Sequence, residues 1–181
     1  MSKIRRTTTE TEIIVTLHAG NGSGAVSTTE PFLDHMLVTL ARYSGLGLAV
    51  ETSSDLAHHL IEDVAITLGA ALRDETPEAC ARYGNAIVPM DDALVQVSLD
   101  NGGRPFYEGP LPDRHYDHFF RSLAATADMT LHIAVLRGTD RHHVVEAAFK
   151  AFGLALRQSL QTTDAVFSTK GAVELERLEE G

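Results

Sequence analysis

The sequence predicts an α+β fold built from two similar halves, each with the element order β-β-α-β-α and with helices packed on one face of its sheet. The main observation is an internal repeat: residues 58–73, HHLIEDVAITLGAALR, return at residues 142–157 as HHVVEAAFKAFGLALR. Seven of these sixteen positions are identical, whereas average composition would give roughly one match. Strand-like and helix-like apolar patterns also recur in the same order in both halves, which indicates a duplicated unit.

Apolar spacing predicts the elements of the first half in order. Period-two alternation near residue 15 predicts a strand that is buried on one face, and spacings of three and four over residues 33–40 predict a helix. A second alternation over residues 46–50 predicts another strand, and a helix from His58 to Arg73 follows it. The residues behind these predictions are Ile13, Val15, Leu17, Leu33, Met36, Leu37, Leu40, Leu46, Leu48 and Val50.

The second half repeats this order. Residues 93–99 and 129–135 alternate as strands do, the stretch from His118 to about Ala127 suits a helix, and a last helix is expected from His142 to Leu160. A polar, proline-containing connection at residues 74–78 separates the halves. We therefore expect one half at residues 1–83 and the other at 84–181, together one compact catalytic unit with a short, frayed acidic tail.

Composition excludes several classes of protein. The chain has 15 basic and 25 acidic residues, a formal net charge of −10, whereas nucleic-acid binding needs clustered lysine and arginine. Its single cysteine, Cys80, excludes an internal disulfide, and no run approaches the roughly 18 apolar residues of a membrane span. The apolar stretch after the basic N-terminus is too short for a signal peptide. We expect a cytoplasmic protein that binds neither nucleic acid nor membrane.

Histidine is the residue type that indicates chemistry. Each helix of the repeat opens with a His-His-x-x-Glu motif, formed by His58, His59 and Glu62 and by His142, His143 and Glu146. Imidazole and carboxylate together suit Mn, Fe, Co, Ni or Zn, and the sequence does not choose among them. Neighbouring side chains on a helix point about 100° apart, so one helix cannot easily turn both rings toward one ion. Two such helices placed face to face can build two sites by exchanging histidines.

The remaining histidines and the basic residues complete the candidate site. His18 and His115 are expected at the surface, and His132 is a candidate hydrogen-bond partner for a metal-binding histidine. Four basic residues could hold a small anion in this otherwise acidic protein: Arg82, Arg104, Lys150 and Lys170. A solvated surface charge is the alternative for each of them. No glycine-rich phosphate loop precedes a helix, so nucleotide binding is not expected.

These motifs resemble those of the imidazoleglycerol-phosphate dehydratase family over about Arg6 to Gly171. The matching segments are RTTTET (6–11), FLDHML (32–37), HHLIED (58–63), PMD (89–91), GRP (103–105), HFF (118–120), HHVVEAAFKA (142–151) and STKG (168–171). The resemblance implies half-units of the ribosomal protein S5 domain 2-like kind. It also implies a hydro-lyase that converts D-erythro-imidazole glycerol phosphate to imidazole acetol phosphate in L-histidine biosynthesis.

The resemblance further implies a site with two Mn²⁺ ions. One ion would take His35, His59, Glu62 and His142, and the other would take His58, His118, His143 and Glu146. The implied phosphate-binding residues are Arg82, Arg104, Lys150, Ser168 and Lys170. Glu10 is the implied acid-base residue, and the metal-binding Glu62 and Glu146 are the other catalytic carboxylates. Members of the family form assemblies of twenty-four subunits with sites at subunit contacts, so a homo-oligomer is expected.

The chain departs from the family pattern at three places. Tyr43 stands where a histidine is usual, the approach to His58 is about three residues shorter, and Phe167 replaces a usual proline. Two other functions stay open beside the dehydratase. A dimetal hydrolase of altered substrate would release phosphate, whereas a dehydratase forms an enol or ketone product. In a non-catalytic assembly the histidine clusters would only hold subunits together.

Overall fold

The computed structural model describes residues 1–54 and 56–166 of the chain. The first half contains β1 (Ser2–Thr7), β2 (Thr11–Ala19), β3 (Gly24–Ser27), α1 (Pro31–Ser44), β4 (Leu46–Ser54) and α2 (Ala57–Glu75). The second half contains β5 (Tyr83–Met90), β6 (Ala93–Asp100), β7 (Phe106–Glu108), α3 (Arg114–Thr126), β8 (Thr130–Arg137) and α4 (Arg141–Ser159). The predicted duplicated α+β architecture is confirmed, and each half has one further short strand, β3 or β7.

Each half forms a four-stranded sheet, and the two sheets have the same topology. Their strand orders are β1-β2-β4-β3 and β5-β6-β8-β7. In both, the first three strands in that order are antiparallel neighbours, and the short edge strand pairs parallel to its neighbour. The predicted alternation sets the buried face, because Ile13, Val15 and Leu17 of β2 all have side chains turned toward the helices.

The helices pair across the halves. In the core, α1 of the first half packs against α4 of the second, and α3 of the second half packs against α2 of the first. Four fully buried phenylalanines fill the space between α3 and α4: Phe119, Phe120, Phe149 and Phe152. The ring centroids of Phe120 and Phe149 lie 4.8 Å apart, which is within the usual range for contacting aromatic rings. Both halves therefore share one core.

A duplicated glycine lies at each helix crossing. A Cβ on Gly69 of α2 would meet the Thr126 hydroxyl and, at 2.7 Å, the backbone oxygen of Leu123 in α3. A Cβ on its repeat counterpart, Gly153 of α4, would meet the Tyr43 Cβ of α1 at 2.8 Å. Gly69 and Gly153 occupy the same position in the two copies of the repeat. Each permits the close approach of its own helix pair.

Residues 76–82 join the halves, and β5 begins at Tyr83. The segment after α4 returns to this connection, because Ala81 donates a backbone hydrogen bond to Gln161 and Thr163 donates one to Ala79. The division into halves at residues 83 and 84 stays a prediction. Among the helices in the described ranges, none is both long and apolar enough to cross a membrane.

Candidate metal centre

Three predicted ligands meet where α1 packs on α4. The Nε2 atom of His142 lies 3.2 Å from Oε2 of Glu146, and the Nε2 atom of His35 lies 3.5 Å from the same oxygen. One ligand atom from each residue fits within 4.8 Å of the others, so the group can hold a metal ion. We call these residues the Glu146 cluster. His142 and Glu146 are four residues apart on α4 and share one face of that helix.

The N-terminus of α4 orients these ligands. The carboxylate of Asp140 accepts hydrogen bonds from the backbone N–H groups of His142, at 2.8 Å, and His143, at 3.4 Å. This is a side-chain N-cap of the helix. The Phe32 ring of α1 lies against His142, with centroids 4.9 Å apart. The cap and this ring contact restrict the orientation of His142 before any ligand binds.

Glu146 is buried and ion-paired. Its side chain is 9% exposed, and its Oε1 atom lies 2.9 Å from Nζ of Lys150 one helical turn later. Burial raises the pKa of Glu146, but the hydrogen bond and charge of Lys150, together with His35, lower it more, so the pKa falls below its ordinary value. The carboxylate is therefore ionised near neutral pH, with Oε1 on the lysine and Oε2 facing the histidines.

A second cluster lies where α3 packs on α2. The Nε2 atom of His118 is 3.1 Å from Oε1 of Glu62, and His58 precedes Glu62 by one helical turn. All three line a cleft of about 330 Å³, together with Arg114 and His115. We call His58, Glu62 and His118 the Glu62 cluster. Each member is the repeat counterpart of one member of the Glu146 cluster.

The grouping of these side chains within one chain differs from the ligand sets that the resemblance implied. Within one chain Glu146, not Glu62, lies beside His35 and His142, and Glu62 lies beside His118. The physical reason is helical spacing: the first histidine of each motif is four residues from its glutamate, so these two side chains share a face. The implied sets, which pair each of these histidines with the other carboxylate, would require ligands from neighbouring chains, and they stay a prediction.

The second histidine of each motif has its Nδ1 atom beside a carboxylate in a hairpin turn of its own half, and the His59 ring also contacts that of His58, with centroids 3.9 Å apart. The Nδ1 atom of His59 lies 3.2 Å from Oε2 of Glu10 in the β1–β2 turn. The Nδ1 atom of His143 lies 2.8 Å from Oδ1 of Asp92 in the β5–β6 turn. Glu10, the implied acid-base residue, is thus placed beside a predicted metal ligand. The sequence reasoning missed Asp92, although it occupies the turn that corresponds to that of Glu10.

Hydrogen bonds also shift the pKa values of Asp92 and His143, the carboxylate–histidine pair of the second half. The pKa of Asp92 is lowered, first by the backbone N–H of Thr139 and then by the His143 side chain. The pKa of His143 is raised, mainly by its hydrogen bond to Asp92. Asp92 is consequently an ionised acceptor at neutral pH, and His143 keeps its proton to a higher pH than an isolated histidine.

The β1–β2 turn is fastened to α2 by the RTTTET segment. The buried Asp63, next to Glu62 on α2, accepts a hydrogen bond from the Thr11 hydroxyl and pairs with Nε of Arg6 at 2.9 Å. The hydroxyl of Thr8 accepts from the backbone N–H of Glu10 at 3.1 Å. This network places Glu10 beside His59. It gives a structural role to the RTTTET segment, which was identified only by resemblance.

The basic residues predicted to bind phosphate have different contacts in the described part of the chain. Arg82 pairs with the Asp100 carboxylate, with its NH2 atom 2.9 Å from Oδ2, and it lines a separate cleft of about 390 Å³. Lys150 neutralises Glu146 and is 15% exposed. Arg104 is exposed, and Ser168, Lys170 and the substituted Phe167 lie outside the described residues.

Three histidines belong neither to the clusters nor to the His-His-x-x-Glu motifs: His18, His115 and His132. The Nδ1–H of His18 donates to the backbone oxygen of Ala19 at 2.8 Å. His115 lines the cleft of the Glu62 cluster, which the sequence did not indicate. His132 contacts the Phe106 ring and is exposed, because the buried Leu131 and Ile133 on either side turn it to the opposite face of the sheet. The prediction that it supports a metal ligand is therefore wrong.

Two corresponding groups of imidazole and carboxylate at matching helix crossings are the kind of donor set found in metal-binding proteins. The comparisons with known proteins then identify the family. The model of the family described as imidazoleglycerol-phosphate dehydratase matches residues 28–156. The chain belongs to the imidazoleglycerol-phosphate dehydratase family.

Relatives and solved structures cover nearly the whole chain. The imidazoleglycerol-phosphate dehydratase of Pyrococcus furiosus is 43% identical, over 94% of this chain and 100% of the relative. That of Pyrobaculum aerophilum is 47% identical, over 93% and 97%. The crystal structure of the P. furiosus enzyme superimposes with a TM-score of 0.84 at 44% identity, covering 94% of this chain and 100% of that one. The Staphylococcus aureus enzyme gives 0.79 at 31% identity, covering 89% and 98%.

Proposed function

We propose that this chain is a metal-dependent hydro-lyase that removes water from imidazole glycerol phosphate to give imidazole acetol phosphate in histidine biosynthesis. Membership of the family supports this reaction. The single observation that carries it is the Glu146 cluster, because His35, His142 and Glu146 converge on one point with their nitrogen and oxygen ligand atoms. The Glu62 cluster contains the repeat counterparts of these three residues around one cleft, which supports a second ion, although within the described residues only the Glu146 cluster brings three ligand atoms within 4.8 Å.

The proposed ions are divalent, with Mn²⁺ as the first candidate. The proton to be removed from the substrate sits on a carbon with no carbonyl beside it, so the imidazole ring must accept the negative charge. Metals bound to the ring nitrogens would supply this stabilisation as Lewis acids. The chain itself contributes the ionised Glu146 carboxylate, the Lys150 cation that keeps it charged, and the Asp140 side-chain cap of the helix that carries His142.

The Glu146 cluster brings three ligand atoms together, and in the Glu62 cluster His118 lies beside Glu62. Both are fewer than the six ligands of an octahedral Mn²⁺ site. His59 and His143 belong to neither cluster of their own chain. We propose that they complete the clusters of neighbouring subunits, so that the enzyme is a homo-oligomer with sites at subunit contacts, and with twenty-four subunits by resemblance. The exchange of histidines between helices then occurs between chains rather than within one.

Arg82, Arg104, Lys150, Ser168 and Lys170 are proposed to bind the substrate phosphate. The exposed guanidinium of Arg104 supports this role, since charge-assisted hydrogen bonds to phosphate need an accessible donor. Glu10 is proposed to move a proton of the substrate, which its half-exposed carboxylate permits. The charge-neutralising contact of Lys150 with Glu146 also connects the proposed anion site with a proposed ligand.

The test joins metal analysis to a dehydration assay on imidazole glycerol phosphate. His35→Ala should remove about one metal equivalent and lower the rate by at least about 100-fold, since a ligand of a catalytic ion is lost. His132→Ala is the matched control, because this histidine lies on the far face of the sheet, and it should bind metal and react as the wild type does.

The products separate the alternatives. An enol or ketone product without phosphate release supports the dehydratase, whereas phosphate release by the wild type would support a dimetal hydrolase. Metal-loaded wild-type protein that converts no imidazole glycerol phosphate would instead support the non-catalytic assembly.

A further inference from the structure

The duplication extends to a carboxylate that faces the second histidine of each motif. Glu10 and Asp92 are 82 residues apart, the same offset that relates β2 to β6. Each lies in the hairpin turn that precedes one of these strands. Each places a carboxylate oxygen near the Nδ1 atom of a histidine on the last helix of its own half, at 3.2 Å for His59 and 2.8 Å for His143.

The contacts of Asp92 use both oxygens. Its Oδ1 atom lies 2.8 Å from Nδ1 of His143. Its Oδ2 atom accepts hydrogen bonds from the backbone N–H groups of Thr139, at 2.7 Å, and Asp140, at 3.2 Å. The Thr139 hydroxyl donates to the same Oδ2 at 3.2 Å. These bonds hold the carboxylate in one orientation against the loop that leads into α4.

An ionised carboxylate can only accept hydrogen bonds, so the proton on the neutral imidazole of His143 must sit on Nδ1. The lone pair of that ring is then on Nε2, which lies 3.4 Å from Oδ2 of Asp91 in the same turn. A metal-binding histidine commonly donates its other N–H to a carboxylate, and this contact fixes the tautomer and the ring orientation.

We propose that Asp92 is a positioning residue that holds Nδ1 of His143 and so leaves Nε2 to coordinate a metal ion, and that Glu10 does the same for His59. This inference rests on the proposed metal-dependent function. Nothing in it requires Asp92 to touch substrate or metal. It gives the hairpin turns of both halves one shared task, which is to present the histidines that neither cluster uses within its own chain.

The experiment measures Mn²⁺ binding by calorimetry and Co²⁺ binding by visible absorption on the assembled protein. Asp92→Asn keeps the size of the side chain but turns either a single oxygen or an amide N–H toward His143, so one of the two sets of contacts is lost. We expect the affinity for about one metal equivalent to fall by 10- to 100-fold, with a changed Co²⁺ spectrum. Asp92→Glu, which keeps an acceptor, should recover part of the loss.

Thr139→Val is the matched control. It removes the hydroxyl donor to Asp92 but leaves the Nδ1 contact of His143, so metal affinity and the Co²⁺ spectrum should stay at the wild-type values even if the melting temperature falls. A purely structural role of Asp92 would lower the melting temperature in both variants and leave metal binding unchanged in both. That outcome would overturn the inference.

Glu10→Gln provides an independent variant if Asp92→Asn does not fold. It should weaken the binding of about one metal equivalent through His59, and wild-type affinity in this variant would also overturn the inference. Failure of the proposed function looks different, because wild-type protein would then bind no metal or would not dehydrate the substrate. A wild type that binds two ions and reacts, beside an Asp92→Asn variant with unchanged binding, would reject only the positioning role.

Discussion

At the scale of single residues, the contact between Lys150 and Glu146 has the clearest energetic consequence. Glu146 is buried, and a buried charge costs much free energy unless it is paired. Lys150 supplies the pair at 2.9 Å. The resemblance implies that Lys150 belongs to an anion site. Its contact with Glu146 gives it a second role, because it keeps a proposed metal ligand ionised.

We predict that Lys150→Met lowers the free energy of unfolding by about 2 kcal/mol at pH 7, since it leaves the Glu146 carboxylate buried without its cation. The pKa of Glu146 is lowered in the folded protein, so this stabilisation is present above its ordinary value of 4.5 and is lost as the pH falls through the lowered value. Urea unfolding at pH 7 and at pH 4 measures the difference, which should shrink at the lower pH.

Lys3→Met is the control for this prediction. It makes the same chemical change at an exposed position of β1 and should alter the free energy of unfolding by less than about 0.5 kcal/mol at either pH. Equal effects of the two substitutions, or an effect of Lys150→Met that does not depend on pH, would contradict an ionised Glu146 supported by Lys150.

The residue scale also shows what the sequence could and could not predict about the site. The His-His-x-x-Glu spacing correctly indicated paired histidines and carboxylates. The same spacing places His58 on the face of Glu62 and His142 on the face of Glu146. It could not assign His35 or His118 to a carboxylate, because that depends on which helix packs on which. The contacts of Asp63 and Asp92 were missed because both arise between a turn and a helix that are far apart in sequence.

At the scale of elements, the apolar patterns located β2, β4, β6, β8 and the four helices, because each of these is long enough to show its period. β3 has four residues and β7 has three, too few for an alternation to be recognised. Their place at the sheet edge, in parallel pairing, is set by the connection to the following helix rather than by their own side chains. Asp34 and Asp117 mark that connection, since each accepts a backbone N–H from the loop that precedes its helix, at 2.9 Å in both cases.

The packing at the α2–α3 crossing predicts whether Gly69→Ala raises or lowers the free energy of unfolding. In an exposed helix, Gly→Ala stabilises by up to about 1 kcal/mol because alanine has the higher helix propensity. At Gly69 we expect the opposite, a loss of about 1–3 kcal/mol, because the new methyl group would meet the backbone of α3. Thermal and denaturant unfolding of Gly69→Ala measures this change, and a stabilised variant would show that α2 and α3 are not packed as described.

At the scale of the whole molecule, the proposed completion of each cluster by a neighbouring subunit couples metal binding to assembly. We predict that removal of metal by a chelator abolishes dehydration and reduces particle size, because ligands from separate chains are then no longer joined. Light scattering before and after chelation, followed by addition of Mn²⁺, measures the effect. A large and fully active particle that contains no metal would exclude the proposed sites.

The pairing of α1 with α4 and of α3 with α2 has a consequence for the ancestry of the chain. Each cluster takes one histidine from one half and a His-Glu pair from the other, so a single half as a separate polypeptide would possess no complete cluster. Two copies related by a twofold axis would restore both, with identical surroundings. Duplication and fusion therefore joined an already symmetric dimer into one chain. Fusion then allowed the twin sites to diverge, with Lys150 where the first half has Ile66, and with a Glu146 side chain 9% exposed against 42% for Glu62.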